Sequence, residues 1–147
     1  MKKLFLPLAV LSIMGCSHHN EDPEDDQRTM LGMWKMSKVE VYKSSTKQTE
    51  VHLTTGCDAE STHEFRGTDM TTVNYTKNNN DCIPDETVTR KYTYNQKTQK
   101  FWYEGEQDYP YIVSQLTAVN MIFESSVEDF DEDGINDIVR YYFLKIK

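Results

Sequence analysis

Thr87-Val88-Thr89-Arg90-Lys91-Tyr92-Thr93-Tyr94 alternates at period two: Val88, Tyr92 and Tyr94 share one face, and Thr87, Thr89, Lys91 and Thr93 the other. Successive side chains of a strand point to opposite sides, so this is a strand with one face toward a core and one toward water. Arg90 stands on the apolar face, where a charge requires a sheet edge, a cavity mouth or a partner carboxylate.

The same signature recurs on both sides of that run, as short stretches of Val, Ile, Thr, Tyr and Phe divided by Gly, Asn and Asp clusters. Strands are predicted at Trp34–Tyr42, Glu50–Leu53, Ser61–Phe65, Met70–Thr76, Glu86–Tyr94, Lys100–Glu104, Tyr111–Leu116, Asn120–Ser125 and Ile138–Lys145. Turns are predicted at Arg66–Asp69, Asn78–Asp81, Asn95–Lys97 and around Gly105, where residues tolerate positive φ or hydrogen-bond their own backbone. Helical periodicity is absent. Short strands with short connections predict an all-β, antiparallel up-and-down meander, and about eight of them close into a small barrel.

The N-terminus has a different character. Lys2 and Lys3 precede an apolar run, Leu4 to Met14, that is too short to span a bilayer but has the length of a signal-peptide core. It ends in Ile13-Met14-Gly15-Cys16, which resembles the lipobox of bacterial lipoproteins. That resemblance implies a signal peptide over residues 1–15, lipidation of Cys16 and attachment to a membrane. Two or three acyl chains anchor a protein where one does not, since each buried methylene contributes about 0.8 kcal/mol. Residues 16–28 then form an acidic tether (SHHNEDPEDDQ from Ser17 to Gln27), too polar to fold by itself, and the domain runs over 29–147. Ser17, not the Asp that retains some such lipoproteins in the inner membrane, follows the cysteine, and the acidic residues beyond it resemble their surface-export signals; the resemblance implies an outer-membrane location, periplasmic or surface-facing.

The chain of 147 residues has a net charge of −8. Such a chain is repelled by phosphate backbones, so nucleic acid is not an expected partner. Three cysteines occur. With Cys16 lipidated, Cys57 and Cys82 remain as an even pair in an oxidising compartment, and a disulfide is expected. On the chain-entropy model it stabilises by roughly 3.5 kcal/mol.

Leu31-Gly32-Met33-Trp34-Lys35 opens the first strand and resembles the Gly-x-Trp start of lipocalins and of lipocalin-like domains in bacterial lipoproteins. The wider order is also similar to that group: lipobox, tether, Gly32-x-Trp34, Cys57, a strand ending at Phe65, Cys82, a tyrosine-rich strand, then Tyr111-Ile112-Val113 and Met121-Ile122-Phe123. The resemblance implies an up-and-down barrel closed at one end by Gly32 and Trp34, with a basic residue of the last strand stacked over the Trp. Arg140, the one arginine of that strand, is the candidate. It also implies a calyx for a small apolar or glycan-like ligand, for which Tyr75, Tyr92, Tyr94, Phe101, Trp102 and Phe123 are candidate lining residues. The same side chains suit a fully packed interior equally well.

Asp129-Phe130-Asp131-Glu132-Asp133-Gly134-Ile135-Asn136-Asp137 reads DxDxDGxxD. Carboxylates of Asp129, Asp131, Asp133 and Asp137, with the Ile135 carbonyl, make the hard-oxygen shell that Ca²⁺ prefers, and Gly134 permits the sharp turn. It resembles the start of an EF-hand loop, but Arg140 stands where the closing Glu belongs, and strand-like sequence flanks it. The nine-residue calcium loops of integrin-type propellers and thrombospondin-type repeats are closer. A structural calcium pinning the last hairpin is expected.

Nothing in the sequence assembles a catalytic constellation: there is no G-x-S-x-G, H-E-x-x-H or phosphate-cradling glycine loop, and His52 and His63 stand alone. The chain is expected to be a binding protein rather than an enzyme. The alternative is a structural or protein-interaction lipoprotein with a packed barrel, meeting another envelope protein through its tyrosines and acidic loops.

Overall fold

The computed structural model describes residues 29–147. The expected signal peptide, tether and lipidated Cys16 lie outside the described residues. Nine strands form one antiparallel sheet: β1 (Gly32–Lys43), β2 (Gln48–Leu53), β3 (Thr62–Phe65), β4 (Asp69–Asn78), β5 (Asp81–Asn95), β6 (Lys100–Tyr103), β7 (Tyr111–Leu116), β8 (Asn120–Ser125) and β9 (Ile138–Lys145). Pairing of β1 with β9 from Trp34↔Lys145 to Tyr42↔Ile138 closes the sheet. Eight strands make the barrel, as expected, and β2 is the ninth. Among the described residues no helix is long and apolar enough to cross a membrane.

One edge of β1 is shared. Its start pairs with β3 (Gly32↔Phe65) and its end with β2 (Lys38↔Leu53 to Lys43↔Gln48). The connection between β2 and β3 includes a 3-10 turn, Gly56–Glu60, which packs against β1, β4 and β5. The Thr54 N–H donates to the Ser37 carbonyl at 3.0 Å, and Cys57 is disulfide-bonded to Cys82 of β5, Cα atoms 5.2 Å apart. The expected bridge therefore fastens the β2–β3 connection to β5.

The barrel has two unlike ends. At the closed end Trp34, Phe65, Phe101, Val113 and Met121 are almost wholly removed from water. Phe101 and Phe123 stack with ring centroids 4.9 Å apart, and Phe65 meets both edge-on at 6.0 Å. Each such pair contributes about 0.5–1.5 kcal/mol beyond area burial. The turns 66–68, 96–99 and 117–119 lie at this end, and the connections 44–47, 79–80, 104–110 and 126–137 surround the other.

The register shifts at three places, one of them between β4 and β5 at Asn74/Tyr75, and the shifts in β1 and β7 set which side chains there face inward. Along β1, Trp34 and Met36 point in. A register shift between Met36 and Lys38 then puts Val39 and Val41 inside and turns Lys38 out over the Tyr142 ring, 4.1 Å from its centroid. In β7 a second shift after Val113 lets Leu116 join Tyr111 and Val113 against the core. An extra residue reverses the face of everything beyond it, so these positions are invisible to a strict period-two count.

Candidate functional site

Above the stacked phenylalanines the interior is not filled. A cavity of about 260 Å³ is lined by Met36 of β1, His63 of β3, Met70 and Thr72 of β4, Tyr103 of β6, Tyr111 of β7, Phe123 of β8, and Tyr141 and Phe143 of β9. Seven of the eight barrel strands, all but β5, thus contribute inward-facing side chains to one space. Tyr141 also borders a second hollow of about 380 Å³ beneath the β1–β2 hairpin, with Val39, Val41, Val139, Glu50, His52 and Phe130. The two hollows share that tyrosine and lead toward the open end.

The cavity wall is mostly apolar, with a few placed polar groups. His63 shares a hydrogen bond with the Thr72 hydroxyl at 3.1 Å and meets Phe143 edge-on. Burial pushes its imidazole down to about 4, so it is neutral at pH 7. The Tyr103 hydroxyl donates to the Met70 sulfur at 3.8 Å, and burial pushes that phenol up to about 12. Tyr111 and Tyr141 are raised by burial as well, with Tyr111 further raised by Glu106 and Tyr141 by Tyr111. At the rim Arg90 lies over the Tyr103 ring, 3.7 Å from its centroid, and is ion-paired with Glu106. The anomalous arginine of the opening stretch thus has both a cavity mouth and a partner carboxylate.

The acidic loop stands at the same end. Asp137 is fully buried: Oδ1 accepts from the Ser44 N–H at 2.9 Å and Oδ2 from the Phe130 N–H at 3.0 Å, tying the loop to the β1–β2 turn. Asp129 accepts from the Asp133 and Gly134 N–H groups at 3.2 and 2.7 Å, and Asp133 from the Ile135 N–H at 2.8 Å. Carboxylate oxygens of Asp129, Asp131 and Asp137 lie within 4.8 Å of one another. Asp131 Oδ1 is shielded from solvent without a hydrogen-bond partner, while Oδ2 accepts from the Ser45 hydroxyl. Desolvation, then the Asp133 charge, raises the Asp131 carboxyl above its usual range. An orphaned oxygen beside two more carboxylates suits a hard divalent cation. Asp133 stands outside that trio, and Ile135 is half-exposed at the end of the turn.

The family model described as a lipocalin-like domain matches residues 30–123. This chain belongs to the lipocalin-like domain family. Among solved structures, the bovine odorant binding protein deswapped triple mutant is similar at 13% identity and a TM-score of 0.38, over 78% of this chain and 72% of that one. No curated protein matches. The acidic loop and β9 of this lipocalin-like domain lie beyond the matched residues.

The closed end of the lipocalin-like domain explains its Gly-x-Trp start. Gly32 has φ +121, and a Cβ there would fall 2.5 Å from the Lys147 carbonyl oxygen, so only glycine fits. Trp34 is fully buried, and its indole N–H donates to the Met30 carbonyl at 2.8 Å. The expected cation over Trp34 is Lys145, its Nζ 5.3 Å from the ring, and not Arg140. The register decides this: Lys145 is the direct partner of Trp34, whereas Arg140 lies opposite Glu40 and Glu124, on the outer face, and is paired with Glu124 at 2.6 Å.

Of the predicted lining residues, Phe123 borders the cavity and Phe101 belongs to the core beneath it. Tyr92 and Tyr94 pack against that core and border a shallow hollow at the closed end beside Met30 and Leu31. Tyr75 lies instead beside the disulfide. Trp102 points outward: its neighbours Phe101 and Tyr103 face in, and successive strand residues cannot share a face. His63, Tyr103, Tyr111 and Tyr141 went unrecognised in the sequence, yet each stands two residues from a core residue of its own strand: Phe65, Phe101, Val113 and Phe143.

Proposed function

We propose that this chain is a non-catalytic binding protein of the bacterial envelope that holds a small, largely apolar ligand inside its barrel. The observation that carries this is an interior cavity to which strands all around the barrel contribute. Its volume of about 260 Å³ falls just below the ~300–1,000 Å³ of drug-sized ligand sites, so the ligand is small. Catalysis does not enter the proposal: among the described residues His63 has Thr72 as its hydrogen-bond partner, with no carboxylate to orient it.

Titration of the full chain with N-phenyl-1-naphthylamine, an uncharged fluorophore that brightens in apolar surroundings, tests this. Saturable 1:1 binding is expected, and Thr72→Trp, which fills the cavity, should remove it while far-UV circular dichroism stays unchanged. Absence of saturable binding to the unaltered chain would sink the proposal and favour a packed, protein-interacting barrel.

In the same proposal Cys16 carries lipid in the outer membrane, residues 16–28 tether the domain, and Ca²⁺ held by Asp129, Asp131 and Asp137 braces the last hairpin. When bound, the ion would supply positive charge to the solvent-shielded Asp131 oxygen. Cys16→Ser should move the protein from the membrane to the soluble fraction of a bacterial expression host; unchanged membrane association would refute the anchor.

A further inference from the structure

We infer that the interior site takes a small organic cation, an alkylated ammonium whose charge rests against the tyrosine rings; the inference rests on the binding function proposed above. Tyr103, Tyr111 and Tyr141 wall the cavity toward the open end. Tyr111 stands nearly perpendicular to Tyr103, at 82° and 6.4 Å between centroids, and to Tyr141, at 72° and 6.0 Å. Rings set at right angles can offer their negative faces to one volume from different sides, which is how aromatic cages hold a quaternary ammonium. The protein already places one cation on this wall, the Arg90 guanidinium over Tyr103. Glu106 matches its charge.

What remains around the opening is negative. Beyond that pair, the connection 104–110 carries Glu104 and Asp108 and the connection 126–137 carries six acidic residues, against Lys47 alone in 44–47. At the closed end the turns 66–68 and 96–99 carry Arg66 and Lys97 and no acid. A field of that polarity draws a cation toward the mouth and repels an anion. One divalent ion in the acidic loop would leave its sign unchanged. Inside, His63 is neutral, and the one cation on the wall, Arg90, is matched by Glu106. Methyl groups on an ammonium spread its charge and provide apolar surface for Met36, Met70 and Phe123 to cover.

Calorimetry on the full chain with choline and with 3,3-dimethylbutan-1-ol, the same shape with carbon in place of nitrogen, decides the matter. Choline is expected to bind about tenfold tighter, the scale of a desolvated cation–π contact. The preference should survive Tyr111→Phe and fall in Tyr111→Leu. Equal or tighter binding of the alcohol would overturn the cation inference and leave the binding cavity standing. Failure of both compounds would also overturn it, and the naphthylamine titration then tells whether the cavity proposal falls too.

Discussion

His63 shows what a single buried side chain imposes on this interior. Held by Thr72 and covered by Phe143, it titrates near 4, against about 6.5 when unfolded. Between those values the unfolded chain binds the extra proton, so stability rises with pH across the window and is lost as pH falls from 6.5 toward 4. The depression corresponds to at most about 3 kcal/mol at neutral pH. His63→Gln should therefore show a smaller fall in melting temperature between pH 7 and pH 4.5 than the unaltered protein; parallel falls would mean that the histidine is not buried neutral. The position was legible in principle, because Thr62-His63-Glu64-Phe65 places His63 on the face of Phe65. Extending each core residue by two along its strand finds the cavity wall, whereas gathering aromatics by type brought in Trp102, which faces out.

Among the elements, the nine strands were the most readable. Tyr111–Leu116, Asn120–Ser125 and Ile138–Lys145 match their predicted bounds, β3 and β6 are each one residue shorter, and the rest extend by a few residues, β5 by five at its start. The bulges in β1 and β7 and the outward edge position of β2 were not readable, since they depend on pairing between distant segments. The acidic loop was recognised as a motif, but its division of labour was not. Asp137 is chiefly a backbone anchor, and Asp131 is the carboxylate left without enough partners. Hydrogen bonds to a buried charge contribute roughly 1.5–3 kcal/mol each, so Asp137→Ala should destabilise by about 3 kcal/mol or more with or without calcium. Millimolar Ca²⁺ should raise the melting temperature of the unaltered chain, and Asp131→Ala should abolish that rise. If EDTA and Ca²⁺ leave the unaltered melting curve the same, the loop holds no structural ion.

At the scale of the whole molecule, one end of the barrel is sealed and the other is open. Gly32, Trp34 and Lys145 close the first around a phenylalanine core. Tyrosines, Arg90–Glu106 and the acidic loop surround the second. Barrel closure followed from the meander, but whether its interior was packed or hollow did not, because that balance depends on how far the core rises above Trp34. Methionines report on both regions: Met36 and Met70 line the cavity, while Met121 is fully buried in the closed-end core. The most direct measurement is ¹³C-methyl NMR of the methionine-labelled full chain during addition of N-phenyl-1-naphthylamine. The Met36 and Met70 methyl signals are expected to shift in proportion to occupancy while Met121 stays in place. Unmoved Met36 and Met70 signals at saturating probe, or equal movement of all three, would contradict a ligand site inside the barrel.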